Sequence, residues 1–235
     1  VARDLIRETP TMTAAAARIL VLNPNSTRHV TDGIDRALEP LRGPGQPEIV
    51  CRTLTEGPPG IQSQRDVDDV APLVARAFAT DNESAAFVIA CFSDPGLHGA
   101  REATQRPVFG IMECGLTTAM NLGQRVGVIA VMGRSIPRHA RAFRAMGLQD
   151  RVAGEIPVDL PVVELADEGK TRARMLAVGR ELKERHSADV LVMGCAGMAQ
   201  YRAPLEELTG LPVVDPTQAA VAMAIGCVKL GLGGR

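Results

Sequence analysis

The sequence predicts an α/β fold of two similar subdomains, each with a roughly four-stranded parallel sheet flanked by helices and with an active site between them. Three observations carry this expectation. Short apolar runs such as Ala85–Ala90 and Val190–Met193 are continuous rather than alternating, as in strands buried on both faces of a parallel sheet. Helix-length amphipathic stretches separate these runs, the alternation that builds crossover units. The strands also fall into two sets of four, and the Asn23-to-Cys91 spacing nearly equals the Val131-to-Cys195 spacing. The expected division is a tail over 1–16, one subdomain from 17–112 plus 216–235, and a second from 113–215.

The elements follow in order. Arg18–Leu22 reads as the first strand, stopped by Asn23-Pro24, and Asn25-Ser26-Thr27 supplies cap residues for a helix over Arg28–Leu41. A strand at Glu48–Cys51 and a helix at Gln64–Ala79 come next. The strand Ala85–Ala90 leads to Asp94-Pro95, an N-cap acceptor with proline at the first helical position, and hence to a helix over Pro95–Gln105. Val108–Ile111 closes the first set of strands, and a helix over Glu113–Leu122 crosses to the second. That set comprises strands at Val126–Val131, Glu155–Val158, Val190–Met193 and Val213–Val214. Helices at Pro137–Met146, Glu168–His186 and Pro204–Leu208 intervene. Asp215-Pro216 repeats the cap-and-proline signal and opens a final helix to Leu230, expected to cross back to the first half.

Composition narrows the function classes. The 235 residues carry a net charge of −1, so no basic excess exists to neutralise nucleic-acid phosphates or an anionic membrane. Aromatics make up 3% with no Trp, which argues against a base-stacking platform. The five cysteines include no C-x-x-C pair, which disfavours a disulfide framework or a structural zinc site and favours a reducing compartment. Val1–Ala17 lacks the apolar core of a signal peptide, and Met12 is a candidate natural start. The expectation is a cytoplasmic protein acting on a small molecule, with no nucleic-acid or membrane partner, no cofactor and no metal, that forms a homo-oligomer.

The chemistry concentrates at strand ends, where open α/β sheets bind ligands. Cys91 precedes Phe92-Ser93-Asp94-Pro95-Gly96, and Cys195 sits between Gly194 and Ala196-Gly197. A thiol beside a helix N-terminus gains thiolate character from free N–H groups. The Ala196 and Gly197 amides form a candidate anion cradle. Two thiols at equivalent places suggest a symmetric acid/base pair, and hence a cofactor-independent racemase or isomerase. Asn23 is harder to explain as a cap than Asn25 or Ser26 and is the better ligand candidate.

Several motifs then resemble one family. Asn23-Pro24-Asn25-Ser26-Thr27, Cys91-Phe92-Ser93-Asp94-Pro95-Gly96-Leu97, Pro107 to Glu113, Arg134-Ser135-Ile136-Pro137 and Gly194-Cys195-Ala196-Gly197-Met198 look like the hydantoin/allantoin racemase branch of the aspartate/glutamate racemase superfamily. The resemblance runs in order from about residue 18 to 230. It implies that Cys91 and Cys195 are bases on opposite faces of the substrate. It also implies that Asn23 and Ser93, with Phe92, Ala196, Gly197, Val131 and Glu113, line or support the site. Many members of this branch carry two threonines where this chain has Ala130-Val131, so the resemblance favours a 5-substituted hydantoin with an apolar arm over allantoin. Amino-acid racemase and maleate isomerase activities, and a non-catalytic binding module, remain alternatives.

Other polar residues read as structural. Cys51, Cys114 and Cys227 lack a glycine-rich turn and are expected in the core. His29, His98, His139 and His186 fall on helix faces or ends and read as solvated or capping. The basic stretch Arg134 to Arg144 reads as a solvated face or an oligomer contact.

Overall fold

A computed structural model describes residues 17–160 and 168–233, so the expected tail over 1–16 lies outside the described residues. The first half contains strands β1 (Arg18–Asn23), β2 (Glu48–Thr53), β3 (Ser84–Ile89) and β4 (Val108–Gly110), with helices α1 (Arg28–Ala37), α2 (Gln64–Ala79) and α3 (Leu97–Ala103). Helix α4 (Ile111–Ala119) leads to β5 (Val126–Ala130), α5 (Ile136–Ala145), β6 (Val152–Pro157), α6 (Glu168–His186), β7 (Val190–Met193), α7 (Arg202–Thr209), β8 (Val213–Val214) and α8 (Pro216–Lys229).

All strand pairings are parallel, in the orders β2-β1-β3-β4 and β6-β5-β7-β8. The identical orders make the two sheets topological repeats. In each, the chain reverses its winding direction between the two central strands, β1/β3 and β5/β7. The carboxyl ends of those strands flank a switch-point crevice.

Side chains alternate across each strand, so one sheet feeds two cores. Leu20, Leu22, Phe87 and Ile89 pack with Val74 and Phe78 of α2 and with Leu97 and Ala100 of α3. Ile19, Val21, Ala86 and Val88 face the other way, into a core shared with Ile34, Leu116, Ala220 and Val221 that continues through Val128 and Val192 of the second sheet. Helix α8 packs on α4 and on β1, β3 and β4, returning the chain to the first sheet.

Most elements match the sequence reading to within a few residues, and the differences have local causes. The first helix stops at Ala37, and Glu39–Leu41 forms a separate 3₁₀ turn. Pro40 there lacks the N–H that an α-helix would need. Helix α3 starts at Leu97 rather than Pro95, because Asp94 (φ 42°) and Gly96 (φ 73°) adopt left-handed conformations that no right-handed helix contains. Strand β6 starts earlier than expected, at Val152, where it pairs with Val126 of β5.

Candidate active site

The two thiols leave their sheets in the same way. Cys91 follows β3, and its carbonyl accepts the Asp94 N–H at 3.0 Å; Cys195 follows β7, and its carbonyl accepts the Met198 N–H at 3.3 Å. The amide two residues on acts on each sulfur. Gly197 N–H donates to Cys195 Sγ at 3.4 Å, and the Ser93 amide favours the Cys91 anion. Gly194 is required just before Cys195. A Cβ there would lie 2.6 Å from the Ile129 carbonyl oxygen, which accepts the Gly194 N–H.

Both cysteines line one cleft of about 580 Å³, open to solvent. The first half contributes Asn25, Val30, Ile61, Gln62, Ala90, Phe92 and Ser93, and the second contributes Val131, Met132, Ser135, Arg138, His139, Gly194 and Ala196. Burial dominates the thiol electrostatics and corrects the expectation of a helix-stabilised thiolate. It pushes Cys91 up to about 12, against the Ser93 amide, with the Cys195 charge adding to the rise. It pushes Cys195 up to about 11, against the Gly197 amide. Both are therefore thiols at neutral pH. The Phe92 and Ala196 amides, one beside each sulfur, donate to no acceptor among the described residues.

Phe92, Ser93, Val131 and Ala196 line the cleft with the cysteines, but three expected site residues do not. Asn23 is buried behind the wall. Its Nδ2 donates to Asn25 Oδ1 and Thr31 Oγ1, both at 3.0 Å, and its Oδ1 accepts the Asn25 N–H, so its hydrogen-bonding capacity braces the loop. Asn25 is the cleft residue of that motif. Gly197 directs its amide at the Cys195 sulfur rather than into an anion cradle. Glu113 pairs with Arg101 at 3.1 Å, away from the cleft, at the start of α4. Asp94 also differs from its expected role: it caps α4 rather than α3, accepting from Met112 N and Glu113 N at 3.0 Å each. Its side chain crosses Gly110, where a Cβ would fall 2.3 Å from the carboxyl carbon.

The second half supplies polar groups that the sequence reading had assigned to a solvated face. His139 is 2% exposed. Its Nδ1 contacts Glu155 Oε1 at 2.5 Å, and its Nε2 lies 3.4 Å from Ser93 Oγ. Arg138 Nε donates to the same Ser93 Oγ at 3.1 Å. With the imidazole proton on Nδ1, the three donors run in one direction: Arg138 Nε–H to Ser93, Ser93 O–H to His139, and His139 Nδ1–H to Glu155. The sequence signal was available. Helix α5 begins just beyond the end of β5, so its first turn faces the same crevice as the cysteine loops. Two contacts also cross the cleft, Arg134 to Gln62 and Arg141 to Gln64, the latter at 2.7 Å. Among the described residues, no group of three His, Cys, Asp or Glu side chains is placed to hold a metal ion. No helix there is long and apolar enough to cross a membrane.

Comparison with known proteins shows the family and the fold. The sequence profile of the Asp/Glu/Hydantoin racemase family matches residues 19–224. A hydantoin racemase from Pseudomonas sp. (strain NS671) is 34% identical, over 91% of this chain and 87% of the relative. The structure of allantoin racemase from Klebsiella pneumoniae superposes with a TM-score of 0.84 at 32% identity, covering 93% of this chain and 90% of that one. Allantoin racemase from Pseudomonas fluorescens superposes with a TM-score of 0.87 at 30% identity, covering 93% of both chains.

Proposed function

Since the chain belongs to the Asp/Glu/Hydantoin racemase family and is a racemase, we propose that it inverts 5-substituted hydantoins by proton transfer between Cys91 and Cys195. The observation that carries the proposal is the pair of strand-end thiols, in equivalent turns, opening into one cleft. The Cys195 charge disfavours ionisation of Cys91, so the reacting form is the minor one in which a single sulfur has lost its proton and the other remains a thiol. The thiolate takes the proton from C5, and the C–H electron pair moves into the neighbouring carbonyl to give a planar enolate. The thiol then delivers its own proton to the opposite face. The two sulfurs exchange roles, and atoms and charge balance within the site.

The Phe92 and Ala196 amides and the Asn25 side chain are the donors available to the ring carbonyls, where negative charge develops. Allantoin is a second candidate substrate. Two similar structures are named for it, it is itself a hydantoin with a ureido arm, and Gln62, Ser135 and Arg138 offer polar partners for that arm.

The test uses single enantiomers in deuterated water. Cys91→Ser and Cys195→Ser should each abolish racemisation. Each should still exchange the C5 proton of one enantiomer, with opposite preferences. If both variants racemise at the wild-type rate, the two-thiol mechanism is wrong.

A further inference from the structure

One cation in the cleft has no counter-ion among the described residues. Arg138 is partly buried and lines the cleft, yet its only hydrogen bond among the described residues runs from Nε to Ser93 Oγ. The other partly buried arginines are compensated. Asp81 pairs with Arg18 at 3.2 Å and with Arg106 at 3.7 Å, and Asp35 pairs with Arg42 at 2.6 Å. Arg151 donates to the Gln124 and Gly123 carbonyls at 2.9 and 3.1 Å. The carboxylates that act on Arg138 from a distance, Asp66 and Glu155, are committed elsewhere. Asp66 accepts the Gln62 and Ser63 N–H groups, and Glu155 holds His139.

Placing a guanidinium beside Val131, Met132 and Phe92 without a partner is unfavourable, and burial lowers its pKa accordingly. The arrangement makes sense if the missing anion arrives with the ligand. Arg138 holds its Nε against Ser93, and the buried Glu155–His139 pair orients Ser93 in turn. The guanidinium is thus fixed, with its terminal N–H groups left as a fork that fits a carboxylate.

We infer that the cleft selects a substrate whose ring substituent ends in a carboxylate, bound by Arg138. The inference rests on the racemase reading and deepens it. It also reverses the apolar arm expected from Ala130-Val131. Val131 and Met132 cover the methylenes of the arm, and Arg138 takes its end.

The test compares 5-(2-carboxyethyl)hydantoin with its uncharged isostere, 5-(2-carbamoylethyl)hydantoin. A charged hydrogen-bonded contact corresponds to roughly tenfold to hundredfold in binding. The wild type should therefore favour the acid over the amide by at least about tenfold, in kcat/KM and in calorimetric affinity. In Arg138→Gln that ratio should fall towards one, and Arg138→Lys should keep part of it. Added salt should weaken binding of the acid more than of the amide. If Arg138→Gln fails to fold, the wild-type ratio and Arg138→Lys still decide the matter. A wild-type ratio near one, or no measurable binding of the acid, overturns the inference. Equal racemisation of both compounds overturns it and spares the racemase reading. A strong binding preference without turnover of either compound does the reverse.

Discussion

Replacing His139 by Leu strands a charge. His139 and Glu155 have side-chain exposures of 3% and 5%, and the imidazole is flanked by Phe92 and Phe143, with ring centroids 5.5 and 6.3 Å away. Leu fills much of the ring's volume between those phenyl groups, so little cavity remains. The loss falls on Glu155, whose carboxylate stays buried on β6 without its donor. Breaking a buried pair on one side costs about 3–5 kcal/mol. For a chain of this length each kcal/mol moves the melting temperature by about 2–4 °C, so a fall of roughly 6–20 °C is expected. Glu155→Leu should cost less, about 1–3 kcal/mol, because it leaves only the neutral Nδ1–H unpaired. The double variant should lie close to the wild type, because replacing both members of a buried pair with apolar groups is often neutral. Urea unfolding of all four proteins gives the coupling energy, expected above about 1.5 kcal/mol. The reasoning fails if His139→Leu loses less than about 1 kcal/mol and the cycle closes additively within about 0.5 kcal/mol.

Two further outcomes follow from the buried titratable groups. Iodoacetamide should modify Cys91 and Cys195 slowly at neutral pH and about tenfold faster per pH unit above it, with protection by bound hydantoin, because burial holds the thiols near 12 and 11; labelling that does not depend on pH would contradict this. Burial also raises Asp94 to about 7 and Asp215 to about 6, so the stability each contributes is complete below its unfolded value of 3.8 and is lost as pH rises through the folded one. Asp94→Asn and Asp215→Asn should each therefore lessen the fall in urea midpoint between pH 4 and 7, and a variant-minus-wild-type difference that is constant with pH would refute the assignment.

The fold was legible because its signals are local. Continuous apolar strands, cap-and-proline pairs and two matched spacings depend on neighbours in the chain. They sufficed for the two sheets and for the return of α8. The cysteines were legible for the same reason, each lying between a strand and a small-residue turn. Asn23 and Asn25 could not be told apart that way. They share one motif, and the choice depends on Thr31, which captures the Asn23 amide from α1. The place of α5 just beyond β5 pointed its first turn at the cleft, but the residue pattern of that helix left His139 and Arg138 looking solvated. What changes their meaning is Ser93, more than forty residues away in the other half, and Glu155 on the edge strand of the second sheet. Such contacts leave no periodic trace in the sequence.

The two cysteines are alike in backbone and unlike in surroundings. Cys91 lies near Arg138 and Asp94, whereas Cys195 lies near Asp215. In the proposed reaction this asymmetry is constrained. Two enantiomers in water have equal free energy, so their kcat/KM values must be equal whatever surrounds each sulfur. The unequal neighbours can decide which thiol ionises more readily, and so can raise or lower kcat and KM together for one direction. They cannot favour one product at equilibrium. The same constraint applies to Arg138. A clamp on the substituent raises the specificity for both enantiomers of an acidic hydantoin by the same factor, because the substituent carries the same charge on either hand. On the proposed reading, selection among substrates therefore belongs to the wall formed by Ser93, Arg138 and His139, and inversion belongs to the two thiols. A substitution in the wall should change which hydantoin is turned over without making the enzyme prefer one enantiomer.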